Sequence, residues 1–224
     1  KNSLTGMIIF LLFTRKSISL AHQTNDFSRK SQLENLHLTS SCPDYHDLTL
    51  DMNTANSYLS LSDGRRSVTT RAEPQPYPDH PDRFTRWAQV LCRAGMAGRC
   101  YWEVEWAGKG GVSIGVCYKN MSRSGDGSEC KLGHNSRSWT LDCSGTACSF
   151  THNKESVAVS APCGRRIGVF LDFRGGALSF YNVSESMVLL HKEKVTLTQP
   201  VYPGFWDKHS GLQLLESRSH LLHH

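Results

Sequence analysis

The chain has 224 residues, 38% of them hydrophobic and 9% aromatic, and this composition excludes intrinsic disorder and a collagen-like fibre. Its formal net charge is +5, but residues 45–215 hold 19 basic and 16 acidic side chains in mixed order, without a run of four basic residues. Because nucleic-acid-binding domains concentrate positive charge on one face or stripe, this distribution argues against a nucleic-acid partner.

The first 44 residues contain a short apolar run, Met7–Phe13. Seven apolar residues are far fewer than the roughly 20 that a membrane-spanning helix needs. The neighbouring basic residues follow the run, whereas those of a signal peptide precede it. We therefore predict that residues 1–44 form a linker or a poorly ordered extension without a membrane span. Because the chain begins with Lys1, we also expect it to be part of a larger protein.

Alternation of apolar and polar residues begins near residue 45 and predicts short strands. Tight turns and a proline-rich connection separate these strands, because proline donates no hydrogen bond to a sheet. The predicted order is Leu48–Asp51, Tyr58–Ser62, a hairpin turn at Asp63 and Gly64, Ser67–Arg71, the prolines of residues 74–81, and Gln89–Arg93.

The clearest strand covers residues 101–106, where Trp102, Val104 and Trp106 share one face. The residues of the opposite face, which we expect to contact water, are Tyr101, Glu103 and Glu105. Residues 112–116, 167–173 and 178–180 alternate in the same way, with glycine turns at 108–111 and 175–176. No segment has a helical period over eleven residues. The pattern therefore predicts an all-β fold, a sandwich or a barrel.

Two patterns invite a catalytic interpretation. Gly111–Gly115 matches the G-x-S-x-G motif, in which a strained turn between a strand and a helix exposes the serine, but Ser113 lies inside an alternating run. Glu103 and Glu105 lie roughly 6–7 Å apart on one strand face, near the carboxyl separation of retaining glycosidases. Alternating glutamates are, however, ordinary on the solvent face of a strand. We predict that the protein is not an enzyme and has no cofactor.

The chain has eight cysteines without a C-x-x-C pair and is long enough to fold without disulfides. We therefore expect reduced thiols in a cytosolic domain. The eleven histidines lack the spacing of zinc ligands, which predicts no metal site.

Three blocks stand out in the order Leu48–Asp51 with Asn53–Ala55, Tyr77–Phe84 (YPDHPDRF) and Gly98–Trp106 (GRCYWEVEW). They resemble the LDP-x-TA start of the PRY segment, its YPDHPERF connection, and the GR-x-YWEVE start of the SPRY segment, with Met52 in place of a proline. Further blocks follow in the family's order at 114–116, 138–139, 168–172, 178–181 and 202–205. The sequence is thus similar to the PRY-SPRY domains of fish tripartite-motif proteins, NOD-like receptors and stonustoxin-like proteins.

The resemblance implies a concanavalin-like jelly roll, a bent two-layer sandwich of antiparallel sheets. It implies a PRY segment at 45–95 and a SPRY segment at 96–215 in one folded unit, followed by a tail at 216–224. It also implies a monomeric, non-catalytic target-binding module in a cytoplasmic protein of innate immunity or the ubiquitin pathway. Such a module binds a protein or peptide through loops at one end of the sandwich.

The family's ligand-facing positions carry over residue by residue. Ser113 stands where relatives often have Asp or His, so it removes a charge from the pocket floor. Leu141 and Cys143 stand where some relatives present tryptophans. The remaining positions lie in the variable loop before Trp139 and after the Tyr202–Gly204 block. The partner-binding residues that the resemblance predicts are Ser113, His134, Asn135, Arg137, Leu141, Cys143, Phe205 and Trp206.

Two other functions stay open at this point. The fish-type resemblance also permits the terminal module of a secreted stonustoxin-like toxin. A carbohydrate-binding sandwich is the other alternative, because exposed aromatic side chains stack on sugars.

Overall fold

Short alternating segments separated by turn residues fold into strands throughout the described part of the chain. The computed structural model describes residues 44–45, 48–184 and 186–215. Within these residues it contains fourteen β-strands and two 3-10 turns. The predictions of an extension before residue 44 and of a tail at 216–224 lie outside the described residues.

The strands differ in length from two to eight residues. They are β1 (Asp44–Tyr45), β2 (Leu59–Ser62), β3 (Ser67–Thr70), β4 (Gln89–Leu91), β5 (Arg99–Trp106), β6 (Val112–Tyr118), β7 (Ser138–Ser144), β8 (Ala147–His152), β9 (Glu155–Val159), β10 (Arg166–Asp172), β11 (Ala177–Val183), β12 (Met187–Lys194), β13 (Val201–Asp207) and β14 (Leu212–Leu214). The 3-10 turns are Asp63–Arg65 and Ser128–Cys130.

These strands form two sheets, which confirms the predicted all-β sandwich. The eight-stranded sheet has the order β12-β11-β10-β5-β14-β3-β2, with β1 also paired to β5. The six-stranded sheet has the order β4-β13-β6-β7-β8-β9. The β1–β5 pair is parallel, and the other pairs described are antiparallel. Apart from the first residue of β12, every strand lies in one compact unit of the chain.

One continuous core lies between the two sheets. Trp102, Val104 and Trp106 of β5 contribute to it from one sheet, as the alternation predicted. Ile114 of β6 and Leu141 of β7 contribute from the other and are fully buried. Burial of these large apolar side chains drives folding, at roughly 25 cal/mol for each Å² removed from water. No helix in the described part of the chain is both long enough and apolar enough to cross a membrane.

Most of the predicted strands are confirmed, and the first is wrong. The hairpin turn between β2 and β3 is present, with positive φ angles of 51° at Asp63 and 60° at Gly64. The predicted strand Leu48–Asp51 is reduced to an isolated bridge from Leu50 to Cys92. Alternation alone therefore overstated this segment, because it does not show whether a long enough partner lies alongside.

The predicted water-facing side of β5 is also wrong at two of its three positions. Glu105 is exposed, but Tyr101 and Glu103 are buried, with relative exposures of 1% and 6%. The buried carboxylate of Glu103 accepts a hydrogen bond from the Tyr101 hydroxyl at 2.8 Å and pairs with the Arg166 guanidinium on β10. Burial of a carboxylate requires such partners, and the periodicity of β5 does not reveal them.

The expectation that the cysteines are all reduced is wrong for one pair. Cys148 in β8 forms a disulfide with Cys163, which precedes β10, and their Cα atoms are 5.8 Å apart. That separation lies within the usual range for a disulfide. The fourteen residues between them form the rest of β8 and the antiparallel strand β9, which brings the chain back, so the two cysteines are close because of the topology and not because of a recognisable spacing.

Candidate functional site

One row of side chains crosses the outer face of the six-stranded sheet. Trp206 of β13 pairs with Ser113 of β6, and Ser113 pairs with Asp142 of β7. Paired residues of neighbouring strands project to the same side of a sheet. Because Phe205 and Leu141 lie in the core, the row of Trp206, Ser113 and Asp142 faces away from the core.

The segment 119–137 covers part of this outer face. A second, smaller core holds it there, formed by Phe84, Leu91, Cys117, Met121 and Leu132. The buried amide of Gln89 fastens the same segment, because its Nε2 donates to the Cys130 carbonyl and its Oε1 accepts from the Leu132 amide, both at 2.8 Å. Trp206 pairs with Gln89 across the strands β13 and β4, and it remains half-buried beside segment 119–137.

Trp206 and four neighbouring side chains are half-buried, and we call these five residues the Trp206 surface: Trp87, Lys131, Asp142, Trp206 and Lys208. The two tryptophan rings lie edge to face, with centroids 5.4 Å apart and planes at 72°. Lys131 Nζ lies 4.9 Å from the Trp87 centroid and 4.8 Å from that of Trp206. Lys208 Nζ lies 4.5 Å from the Trp206 centroid. Both ammonium groups therefore lie within cation–π distance of the Trp206 ring.

Asp142 is held by its neighbours and forms the floor of the Trp206 surface. Its Oδ1 accepts a hydrogen bond from the Ser113 hydroxyl and lies 3.7 Å from Lys208 Nζ. Its Oδ2 accepts from Thr151 Oγ1 at 2.6 Å. The charge of Lys208 is thus compensated. In the described part of the chain Lys131 has no carboxylate at ion-pair distance, which leaves the surface with a positive charge.

Burial and like charge act together on the basic groups. Burial lowers the pKa of Lys131, and the nearby Lys208 ammonium lowers it further, whereas Asp142 acts in the opposite direction. Burial also lowers the pKa of His134, with a further contribution from Lys131, so this imidazole is neutral at neutral pH. The positive charge of the surface therefore comes from lysine. An anion bound beside the two ammonium groups would relieve their repulsion.

Two glycines just before β6, which lie against the end of β13, set the position of Lys208. The Lys208 amide donates to the Gly111 carbonyl at 3.2 Å, and Gly111 has a φ of +96°. A side chain on Gly110 would collide with the Lys208 carbonyl oxygen. The two glycines thus allow the close backbone approach that places the Lys208 ammonium over Trp206.

The structure brings only some of the predicted site residues together. Ser113 and Trp206 lie side by side, and His134 is close enough to Lys131 and Lys208 for its pKa to respond to both. Leu141, Cys143 and Phe205 lie in the core, each at most 1% exposed. The resemblance predicted a partner contact for them, but they project from β7 and β13 into the core. These three residues are not part of the Trp206 surface.

Asn135 and Arg137 lie just before the start of β7, at the end of this strand that is farther from Asp142. Arg137 is exposed, and its Nη1 donates to the Asn120 carbonyl at 2.6 Å. Asp142 is five residues further on, roughly 17 Å along the strand. Asn135 supports the segment from within: its Nδ2 donates to the carbonyl of Lys131 at 2.8 Å, and its Oδ1 accepts from the Arg137 amide at 2.9 Å.

Replacing Asn135 by alanine is expected to lower the free energy of unfolding by about 1–3 kcal/mol, because it removes the partners of several loop groups at once. Urea denaturation measures the loss, and hydrogen exchange at residues 128–138 should become faster. Asn120→Ala is the control, since Asn120 is exposed and a surface substitution there should stay within about 0.5 kcal/mol of wild type. Equal stability of the two variants would contradict the supporting role of Asn135.

Sequence reasoning missed four members of the Trp206 surface: Trp87, Lys131, Asp142 and Lys208. A signal existed for Lys208, which is two residues after Trp206, and for Asp142, which alternates with Leu141 and Cys143. Trp87 and Lys131 come from distant segments, and their approach depends on how segment 119–137 folds over the sheet. Ser113 itself is the second residue of strand β6, is fully buried and is followed by five more strand residues, so the strand-to-helix turn of a nucleophile elbow is not formed at this residue.

Comparison with known proteins finds related domains over most of the chain. The SPRY-associated PRY domain matches residues 48–96, and the SPRY domain matches residues 99–216. Neoverrucotoxin subunit alpha of Synanceia verrucosa is 42% identical over 164 residues, which cover 71% of this chain and 23% of the toxin subunit. Tripartite motif-containing protein 16 of Mus musculus is 37% identical over 163 residues, 71% of this chain and 29% of that protein. This chain thus spans about a quarter of the length of these relatives.

The fold is similar to solved structures as well. The crystal structure of the TRIM65 PSpry domain aligns with a TM-score of 0.71 at 29% identity, over 81% of this chain and 99% of that chain. The stonustoxin structure aligns with a TM-score of 0.68 at 35% identity, over 76% of this chain and 27% of that chain.

Proposed function

The chain belongs to the PRY-SPRY family, and from this premise we propose that it is a non-catalytic recognition module whose Trp206 surface binds an acidic segment of a partner protein. In this proposal the strands form a rigid scaffold. The segments 119–137 and 207–211 on this scaffold supply the residues that select the binding partner.

The observation that carries the proposal is the arrangement of aromatic rings and ammonium groups around Trp206. Binding energy at protein interfaces is concentrated in a few residues, and Trp is prominent among them. Trp206 is half-buried, packed against Trp87 and held in a strand. It therefore loses little conformational freedom when a partner covers its exposed part.

The charge of the surface suggests the chemistry of the partner. Lys131 has no described carboxylate at ion-pair distance, and Lys208 repels it. A carboxylate of the partner would pair with Lys131, while an adjacent apolar side chain would pack on the tryptophan rings. We therefore propose a partner segment that places Asp or Glu next to an aliphatic or aromatic residue.

A displayed library of random peptides tests this function, because it samples every combination of acidic and apolar neighbours. Selection against the full chain, with removal of peptides that also bind a Trp206→Ala variant, should enrich sequences with an acidic residue beside an apolar one. The same selection with Tyr58→Ala as the removal step is the matched control, because Tyr58 is a 46% exposed aromatic residue outside the Trp206 surface. If peptides bind the full chain before the Trp206→Ala removal step but none remains after it, the proposal is contradicted.

Neutralising the two lysines should slow association of the selected peptides. The variant Lys131→Gln/Lys208→Gln keeps long side chains over the rings but removes both charges, and we expect the association rate at low salt to fall on the order of tenfold. Stopped-flow measurements over a range of salt concentrations check this result. Lys192→Gln/Lys194→Gln on the exposed positions of β12 is the control and should leave the rate near that of wild type. An unchanged rate and salt dependence in the first variant would contradict a role of positive charge.

The disulfide favours a second candidate, the terminal module of a secreted toxin-like protein. Disulfides form and persist in oxidising compartments, and two of the similar proteins are toxins. Alkylation of thiols in intact cells before lysis distinguishes the two candidates. In a cytoplasmic module all eight cysteines should react after unfolding, whereas in a secreted protein two cysteines, one of them Cys148, should remain protected until a reductant is added.

A further inference from the structure

Three cysteine sulfurs lie close together in the core, on the side of the six-stranded sheet opposite to the Trp206 surface. Cys148 and Cys163 are bonded, and the Sγ atoms of Cys143, Cys148 and Cys163 all lie within 4.8 Å of one another. Cys143 Sγ is 3.2 Å from Cys148 Sγ. All three residues are buried, and Cys143 is a free thiol. A thiol in contact with a disulfide is the arrangement from which thiol–disulfide exchange proceeds.

The hairpin of β7 and β8 creates this contact. Cys143 and Cys148 are paired directly across the hairpin and both project into the core. Cys163 approaches from the segment before β10, where its amide donates to the Thr146 carbonyl of the hairpin turn at 2.8 Å. This backbone hydrogen bond does not involve sulfur. Cys163 therefore stays beside the hairpin whichever sulfur atoms are bonded.

We propose that Cys143 is a second disulfide partner of Cys148, so that the domain exchanges between a Cys148–Cys163 and a Cys143–Cys148 bond. In the forward step the Cys143 thiolate attacks Cys148 Sγ, the Cys143–Cys148 bond forms, and the Cys148–Cys163 bond breaks. The electron pair leaves on Cys163 Sγ, which takes up a proton equivalent to the one that Cys143 lost. One disulfide and one thiol exist before and after, so the step needs no external oxidant or reductant.

The two bonds connect different parts of the fold. The Cys148–Cys163 bond joins the six-stranded sheet to the segment that leads into β10 of the eight-stranded sheet. The Cys143–Cys148 bond lies within one hairpin and leaves this connection open. Exchange therefore adds or removes a covalent tie between the sheets, one residue away from Asp142 of the Trp206 surface.

The environment of Cys143 makes the exchange slow enough to observe. Burial raises the pKa of Cys143 to about 12, with a contribution from the Asp142 carboxylate and an opposing one from Lys208. At neutral pH the group is therefore almost entirely the protonated thiol, and only the thiolate attacks a disulfide. Acid quenching removes the remaining thiolate, so the two bonded forms are trapped and counted separately.

Tryptic peptides distinguish the two bonds. The full chain is equilibrated with reduced and oxidised glutathione, quenched with acid, blocked with N-ethylmaleimide and digested. Cleavage after Arg137, Lys154 and Arg165 places Cys143 and Cys148 in peptide 138–154 and Cys163 in peptide 155–165. A Cys148–Cys163 bond gives a cross-linked pair, whereas a Cys143–Cys148 bond gives peptide 138–154 alone, lighter by two hydrogens. We expect wild type to contain both products, and the presence of the cross-linked pair alone would overturn the proposal.

Two variants provide an independent test. Cys163→Ser should form the Cys143–Cys148 bond in most molecules under the same glutathione conditions. Cys143→Ser should keep the cross-linked pair and lose the internally bonded peptide. A Cys163→Ser protein with a cooperative thermal transition, whose peptide 138–154 carries two N-ethylmaleimide groups, would overturn the proposal.

Discussion

Replacing Trp206 by alanine is expected to weaken binding of the selected peptides by about 30-fold to about 700-fold, the effect of losing roughly 2–4 kcal/mol at a central interface tryptophan. The physical reason is that Trp206 contacts the Trp87 ring and two ammonium groups, so its removal opens the centre of the proposed binding surface. Isothermal titration calorimetry with one selected peptide measures the loss.

Two further variants and a urea denaturation curve distinguish the loss of a binding contact from the loss of folded structure. Trp87→Phe keeps an aromatic ring beside Trp206 and should cost less than Trp206→Ala, while Tyr58→Ala should have no measurable effect on affinity. A Trp206→Ala variant that unfolds at the wild-type urea concentration but binds within about twofold of wild type, well below the effect of an interface hot spot, would show that this residue is not at the interface.

Replacing Trp102 by alanine is expected to lower the free energy of unfolding by about 3–5 kcal/mol. Trp102 lies on the core face of β5 and is 1% exposed, in the middle of the eight-stranded sheet. Its removal leaves a large cavity between sheets whose strands are fixed on both sides, so the surroundings cannot close around it. Because a domain has about 5–15 kcal/mol in total, this change brings the protein close to unfolding at physiological temperature.

Urea denaturation followed by tryptophan fluorescence and circular dichroism measures this effect. Trp102→Phe refills part of the cavity and should recover part of the lost stability. Tyr58→Ala, at an exposed position, should remain within about 0.5 kcal/mol of wild type. A loss below about 1 kcal/mol for Trp102→Ala would contradict the role of this face as the core of the sandwich.

Local features of the fold could be predicted from the sequence because they depend on neighbouring residues. The alternation of Trp102, Val104 and Trp106 identifies the core face of β5 without reference to any other strand. The turn at Asp63 and Gly64 is likewise encoded in two adjacent residues. The all-β class of the fold and its clearest strands therefore follow from short stretches of sequence.

Features that depend on distant segments could not be predicted in this way. The burial of Glu103 requires Arg166, 63 residues later in the chain, to lie on the neighbouring strand. The Trp206 surface brings Trp87 and Lys131 to Trp206 from segments that are far from it in the sequence. Leu141 and Cys143, which the resemblance placed at the ligand, lie in the core instead, because only the packing of the other sheet decides which face of β7 is buried.

Hydrogen exchange of the full chain with and without a selected peptide tests the central claim most directly. If the Trp206 surface is the docking site on a rigid sandwich, protection on binding should be confined to residues 86–90, 128–137 and 204–208, with the exchange of β5 and β10 unchanged. Protection at the edge strands β9 and β12, with no change at residues 204–208, would contradict it.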